Sequence, residues 1–379
     1  MPSILIIADH RLNRSPSQRY RFEQYLDFFK ENNFSWELSE IITEKDDAIF
    51  YHPGNHLKKA MIMLKSIFIR LKDLQRAKKF DIVFIQREAL LLGSPYFEKQ
   101  FFKRSKVVFD FDDSIWLLDT SPENKKFEFL KNSDKTKINI QHAHVVIAGN
   151  SFLANYAKQF NSNVVIIPTT IDTLFHKVLG DTSTSFNKPT NNQQSVTLSG
   201  VEGQSPIVIG WSGSISTIKH FEIAISVLKE IIKKYPNQIE IHVIGQGNYS
   251  NPDIPVISKN WSAETEVQNI NAFDIGIMPL PDDEWVKGKC GLKGLSYMAC
   301  GVATVMSKVG VNSEIIENGK NGFLATTKQE WVDALSQLIE NAELRTRLGA
   351  VGKTTVVEKY SVEANKQKYL HLLKSLIKD

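Results

Sequence analysis

The chain has 379 residues, 42% of them hydrophobic and 23% charged, with a formal net charge of +4. That length accommodates two domains of ordinary size, and the composition is that of a globular protein. The small net charge leaves no electrostatic footprint for nucleic acid, and the only cysteines, Cys290 and Cys300, form neither a disulfide framework nor a zinc-spaced cluster. Both cysteines fall in one predicted helical region, so a reducing, cytoplasmic setting is expected. Met1 to Ala8 lacks a basic leader and is expected to be a first strand, and no run approaches the roughly 18 apolar residues of a membrane span.

Ile4 to Ala8 opens the chain as a fully apolar strand. Ser15-Pro16-Ser17-Gln18 then predicts a helix start, with Ser15 as N-cap, Pro16 at the first position and Gln18 closing a capping box, the helix running to about Asn32. The loop before it, Asp9 to Arg21, carries Arg11, Arg14, Arg19 and Arg21. Residues 57–79 hold eight basic residues and one acidic residue, Asp73. Leu57, Ala60, Met61, Leu64, Ile67, Phe68, Leu71 and Leu74 share one predicted helical face, while Ile62, Met63 and Ile69 project among the lysines. Two readings fit: a membrane-surface helix, or a helix packed on a sheet with a solvated basic face.

Further strands are predicted at Ile82–Gln86, Val107–Phe111, Val145–Ala148 and Val164–Ile167, with Arg87 and Glu88 directly after the first of these. Lys177 to Ser205 is rich in Ser, Thr, Asn, Gln and Gly and is expected to be a linker or surface insertion. A second alternating block follows, with strands at Ile207–Trp211, Ile239–Ile244, Ile275–Pro279 and Ala303–Met306. Its helices are expected near Ile218–Lys234, Leu292–Cys300, Lys328–Asn341 and Ala342–Tyr360, before a final amphipathic helix from Ser361 to Lys378. Strand–helix alternation of this kind predicts parallel sheets, with ligands at the carboxyl ends of the strands.

Two glycine loops in the second block carry the chemistry. Ile207–Ser214 is a strand ending in Gly213 and Ser214, where backbone can approach a ligand while a helix start and Lys219 face an anion. Gly291 opens the next glycine-marked helix, and Lys293 in its first turn opposes the helix dipole unless an anion compensates it. In the first block, Val107 to Ser114 reads VVFDFDDS. An apolar strand running into Asp-x-Asp resembles the nucleophile motif of haloacid-dehalogenase-type phosphatases, with Asp110 as nucleophile and Asp112 as acid/base. Such phosphatases also need a later acidic pair, whereas the later strands end in Gly149-Asn150-Ser151 and Thr169-Thr170.

The run Gly288 to Gly322, with Met298-Ala299-Cys300-Gly301, Gly310, Glu314 and Asn321-Gly322, resembles the carboxyl-terminal signature of retaining family-4 glycosyltransferases. Gly213, Lys219, His220, Tyr360-Ser361 and the Pro168 to Asp172 element extend the resemblance over nearly the whole chain. It departs from the family pattern at three positions. Arg is usual at Ser214, and the two glutamates of the Glu-x7-Glu motif fall on Gly288 and Ser296. Lys293, Tyr297 and Met298 suit a subset that writes this helix Lys-x-x-x-Tyr-Met-Ala-x-Gly.

The resemblance implies an α/β protein of the GT-B fold, two Rossmann-like domains with parallel sheets facing an interdomain cleft. The expected division is 1–172, a linker at 173–205, 206–360, and a carboxyl-terminal helix at 361–379 packing back on the first domain. The implied reaction transfers a sugar from a nucleotide-diphosphate sugar to a saccharide or lipid-linked acceptor, with retention of configuration and without a metal or other cofactor. Lys219 and Lys293 would stabilise the leaving diphosphate. Gly213, Ser214, Gly291, Ser296, Tyr297 and Glu314 would bind the donor. Asp112 and Asp283 are candidates to replace the missing carboxylates, and Arg19, Arg21 and Arg87 to meet the acceptor. A non-catalytic nucleotide-sugar-binding homologue is the alternative that the absent glutamates leave open.

Overall fold

Runs of β-branched residues form two parallel six-stranded sheets, each in its own unit. The computed structural model describes residues 1–52, 54–117, 132–179, 205–245 and 247–377. The first unit comprises Met1–Thr170, Lys287–Cys290 and Val362–Asp379, and the second Ile171–Val286 and Gly291–Ser361. The final helix, Val362–Ser375, therefore belongs to the first unit. Most of the low-complexity stretch expected as a linker, residues 180–204, lies outside the described residues.

The first sheet holds β1 (Ser3–His10), β2 (Ser35–Ile42), β3 (Ile82–Gln86), β4 (Lys106–Phe111), β5 (Val145–Ala148) and β6 (Val164–Ile166), in the order β2-β1-β3-β4-β5-β6. Ile4 to Ile7 pair in parallel with Ile82 to Ile85. Alternate residues feed two cores, Leu5, Ile7, Val83, Ile85 and Phe109 on one face and Ile4, Ile6, Ile82, Phe84 and Val108 on the other. Helices must cover both faces of such a sheet, which is why these strands read as unbroken apolar runs.

The second sheet holds β7 (Ile207–Ser212), β8 (Ile239–Gly245), β9 (Ile257–Asn260), β10 (Ile275–Met278), β11 (Ala303–Ser307) and β12 (Phe323–Ala325), in the order β12-β11-β10-β7-β8-β9. Strand order reverses between β7 and β10 here, and between β1 and β3 in the first sheet. Ligands of open parallel sheets bind outside the carboxyl ends of strands at such reversals. Three strands lack a sequence signal: β2 is half exposed, β9 is a polar edge and β12 has three residues.

Several expected helices differ. The run to Asn32 is broken into Pro16–Arg19, a 3-10 turn at Glu23–Tyr25, and Leu26–Glu31. Ser15 makes no side-chain cap. Gln18 is drawn instead to the end of β1, accepting from the His10 N–H at 3.0 Å and donating to the His10 carbonyl at 2.8 Å. The helix expected over Ile218–Lys234 breaks into Ile218–Glu222 and Ile225–Lys234. Cys290 lies in the Lys287–Cys290 segment and not in the Leu292–Ala299 helix, and both cysteines are free.

The largest correction concerns the His56–Arg76 helix. Its buried stripe is Ile62, Ser66, Arg70, Asp73 and Leu74. The apolar face that the sheet-packed reading would bury is buried only at Leu74 and is otherwise largely solvent-exposed: Leu57 at 83%, Met61 at 67%, Leu64 at 57% and Phe68 at 63%. Apolar counting alone does not pick out the core side because the core-facing stripe carries a polar network. Arg70 donates to the Ser39 carbonyl at 3.1 Å, the Ser39 hydroxyl at 3.0 Å, Asp73 at 2.9 Å and the Ala8 carbonyl at 2.8 Å, and also to the Ala89 carbonyl. A guanidinium with every nitrogen engaged can be buried; an unpaired one cannot.

Candidate active site

In the first unit the strand-order reversal gathers residues from three strand ends. Asp9 closes β1, Arg87 and Glu88 follow β3, and Asp112 and Asp113 follow β4. Arg87 has a φ of 64°, in the left-handed region that costs a non-glycine residue about 1–2 kcal/mol. Its contacts hold it there. The Arg87 N–H donates to the Asp110 carbonyl at 2.7 Å and its guanidinium to the Ser17 hydroxyl at 3.0 Å. The same guanidinium lies 3.5 Å from Asp113 and 3.8 Å from Asp112.

Asp112 and Asp9 are unusual in the same way. Each buries a carboxyl oxygen that has no hydrogen-bond partner. Burial raises the Asp112 pKa, against the opposing pull of Arg87. Burial, and then the charge of Glu88, push Asp9 up to about 7. Two carboxyl groups with open hydrogen-bonding valence at the carboxyl ends of neighbouring strands have acceptor capacity left over for hydroxyl groups.

The Lys287–Cys290 segment completes this cluster. Asn150 caps the Ser151–Lys158 helix by accepting from the Leu153 N–H at 2.9 Å, while its amide donates to the Gly288 carbonyl at 3.1 Å and the Lys289 carbonyl at 3.0 Å. The Lys289 ammonium sits 2.9 Å from Asp113, and the Cys290 thiol donates to the Asp112 carbonyl at 3.2 Å. A Cβ on Gly288 would stand 2.1 Å from the Ser114 hydroxyl and 2.6 Å from the Ser114 backbone nitrogen. The position where the glycosyltransferase pattern has its first glutamate is thus pressed on backbone and admits no side chain without a shift. Neither Asn150 nor Lys289 stood out in the sequence; an N-cap preference marks Asn150, but nothing local marks its second role.

Arg21 is not placed to meet an acceptor. It is fully buried and paired with Asp110, and it donates to the Ile167 carbonyl at 2.5 Å. Burial, the largest single influence, opposes its charge, but the Asp110 carboxylate together with Tyr369 and Cys290 outweighs it and raises the guanidinium's pKa. Asp110 is equally buried, so it presents no nucleophile and the phosphatase arrangement fails on geometry. Arg19 is half-buried with its guanidinium 5.2 Å from the Tyr20 ring centre. Arg11 and Arg14 both pair with Asp47, so the loop is less positive than its sequence.

In the second unit, β7 runs into Gly213 and Ser214, beside the start of the Leu292–Ala299 helix. A Cβ on Gly213 would lie 2.4 Å from the Trp211 ring, and the Lys293 ammonium sits 5.6 Å from the centre of that ring. Lys293, Trp211 and the Gly213 turn are therefore neighbours. Gly291 caps the helix with a φ of 70°, and a Cβ there would meet Ile315 at 2.3 Å, so glycine is required twice over. Lys219 is exposed on Ile218–Glu222, and the exposed Ser214 hydroxyl shares a hydrogen bond with Ser216 at 2.9 Å.

Two expected donor contacts serve the scaffold instead. The fully buried Tyr297 hydroxyl accepts from the Ser212 N–H at 2.8 Å, fastening the helix to the end of β7. The buried Ser296 hydroxyl donates to the Leu292 carbonyl at 3.0 Å within its own helix. Asp283 accepts from the Val286 N–H at 2.7 Å and caps the Glu284–Lys287 turn, while Glu314 is exposed on Asn312–Ile315. Asn312 escaped the sequence: its amide donates to the Ser307 carbonyl at 3.0 Å, and its buried oxygen has no hydrogen-bond partner, close to Gly291. Among the described residues no group of three or more His, Cys, Asp or Glu is arranged to hold a metal.

Comparison with known proteins bears on this geometry. Residues 206–341 match the model of the family described as glycosyl transferases group 1. The poly(ribitol-phosphate) alpha-N-acetylglucosaminyltransferase of Staphylococcus aureus (strain COL) is 23% identical over 185 residues, which are 45% of this chain and 36% of that protein. The chain thus matches about a third of that relative's length. The sucrose-phosphate synthase of Thermosynechococcus elongatus superposes with a TM-score of 0.68 at 13% identity, covering 99% of each chain. Anabaena Alr3699/HepE, solved in complex with UDP-glucose, gives 0.64 at 16% identity, covering 99% of this chain and 100% of that one. The chain has the GT-B fold of these structures, and its residues 206–341 are similar to the glycosyl transferases group 1 family.

Proposed function

We propose that the protein is a glycosyltransferase that moves a sugar from a nucleotide-diphosphate donor to a saccharide or lipid-linked acceptor, with retention of configuration. The observation that carries this is the convergence of the Gly213 turn, the Lys293–Trp211 pair and the glycine-capped helix start at the β7/β10 reversal, within the segment that matches the family. Lys293 and Lys219 with the helix N–H groups stabilise the departing diphosphate, where negative charge develops, so the scheme needs no metal. Asn312 is added to the donor-side residues. In the first unit, Asp112 and Asp9 take acceptor hydroxyls, and Arg87 holds Asp112 in place. The named activities of the relatives, on a poly(ribitol-phosphate) and in sucrose-phosphate synthesis, support a phosphate-bearing acceptor or product class. No described helix is long and apolar enough to cross a membrane. Contact with a membrane surface through residues 57–79, at the cytoplasmic side, belongs to the same proposal.

The test is a thermal-shift titration against UDP, GDP, ADP and CMP sugars. A ligand at 100 times its dissociation constant should stabilise the protein by about 2.7 kcal/mol. Lys293→Ala should weaken that ligand about tenfold to a hundredfold, the worth of a charge-assisted contact. No shift with any nucleotide sugar, or unchanged affinity in Lys293→Ala and Lys219→Ala, overturns the donor assignment.

A further inference from the structure

The His56–Arg76 helix is built in a way that its place in the sheet does not require. It runs antiparallel to β2, with Arg76 paired to Glu37 and Arg70 bonded to Ser39 and Ala8. Arg70 thus stands near the strand ends, and the turns preceding it extend on the order of 15 Å beyond the carboxyl edge of the sheet. That is the edge on which Asp9, Arg87 and Asp112 gather. On the outward face, Leu57, Met61, Leu64, Phe68 and Leu71 follow one another at spacings of four and three residues, all exposed. A continuous stripe of five large apolar side chains is an uncommon thing to leave in water.

The charges around it are equally ordered. Lys58, Lys65 and Lys72 recur every seven residues along one border of the stripe, all exposed. The helix has one acidic residue, Asp73, and it is buried against Arg70 and Arg76. Lys65 also pairs with Asp46 at 2.6 Å. An apolar stripe flanked by lysines, with no exposed carboxylate on the helix, matches the cross-section of an anionic bilayer: acyl chains beneath, phosphates at the border.

We propose that this face docks on a bilayer rich in anionic lipid, with Leu57, Met61, Leu64, Phe68 and Leu71 inserted below the headgroups and Lys58 and Lys72 on the lipid phosphates. The docked helix sets the acceptor-side crevice next to the membrane surface, where a lipid-linked saccharide presents its head. This rests on the proposed acceptor class, but the docking itself is measured without catalysis.

The test is co-sedimentation of the full chain with vesicles of phosphatidylcholine alone or with roughly one-third phosphatidylglycerol. Binding is expected to the anionic vesicles and to weaken with salt. Leu64→Glu/Phe68→Glu should reduce it by at least about a hundredfold, and Lys58→Gln/Lys72→Gln by about thirtyfold. Both pairs are exposed, so folding should persist, checked by the circular dichroism spectrum and calorimetric melting of the full chain. Absence of vesicle binding, or variants that bind like the parent, overturns the proposal. So does a parent dimer in sedimentation velocity that Leu64→Glu/Phe68→Glu dissolves without any vesicle binding, since a second copy then covers the face. Retained nucleotide binding with failed docking would sink the docking alone; lost nucleotide binding with intact docking would sink the donor assignment alone.

Discussion

Replacing Arg21 with methionine removes the centre of the first unit's buried polar structure. Arg21 and Asp110 are both fully buried, joined through two guanidinium nitrogens, and a third nitrogen holds the Ile167 carbonyl. Methionine fills a similar volume but leaves the Asp110 carboxyl without its counter-charge. Breaking a buried pair from one side costs about 3–5 kcal/mol. The unit has roughly 190 residues, for which an unfolding entropy of about 0.4 kcal/mol/K is expected, so its melting temperature should fall by about 8–12 °C. Differential scanning calorimetry on the full chain reads this, with the nucleotide-sugar shift reporting that the second unit is folded. Arg21→Met/Asp110→Leu should recover much of the loss, because an apolar pair needs no counter-charge. A fall below about 2 °C for Arg21→Met, or a double variant less stable than the single one, would refute the assignment of Arg21 to the scaffold.

Other outcomes follow from the same structure. Asp9 has its folded pKa raised to about 7, so the folded state binds its proton more tightly than the unfolded chain. Its contribution is fully favourable below about pH 4 and is lost as the pH rises towards 7. Asp9→Asn should therefore be more stable than the parent by about 2–4 kcal/mol at pH 8 and nearly equal at pH 4, read by urea unfolding; an unchanged difference between the two pH values contradicts it. Gly288→Ala should cost about 1–3 kcal/mol, since the Ser114 backbone cannot retreat as a flexible side chain could. Gly288→Glu should fail to raise transfer activity for the same reason. Asp112→Asn should raise the acceptor KM with little change in donor affinity; a loss confined to donor binding would reassign Asp112.

Much of the second unit is legible locally. Gly213, Gly291 and Lys293 are marked by backbone geometry and by a charge at the wrong end of a helix, properties that belong to a few adjacent residues. The apolar strands are equally local, and nine of the twelve described strands lie where hydrophobic runs put them; β2, β9 and β12 carry no comparable run. The roles of Ser296 and Tyr297 are not legible, because a hydroxyl serves a ligand or its own scaffold equally well, and only the Leu292 carbonyl and the Ser212 N–H decide.

The sequence by itself determined the strand–helix alternation, the parallel sheets and the glycine turns, since these follow from periodicity and from φ values that only glycine takes freely. Tertiary structure decided which polar residues could be buried. Arg21 finds Asp110 across 89 positions, Arg70 finds Ala8 across 62, and Asn150 finds Gly288 across 138. Each of these contacts turned a residue that looked like surface chemistry into framework, or the reverse. The His56–Arg76 helix faces the core with Ser66, Arg70 and Asp73 and the solvent with leucine and phenylalanine because hydrogen-bond partners, and not hydrophobicity alone, set what a protein interior accepts.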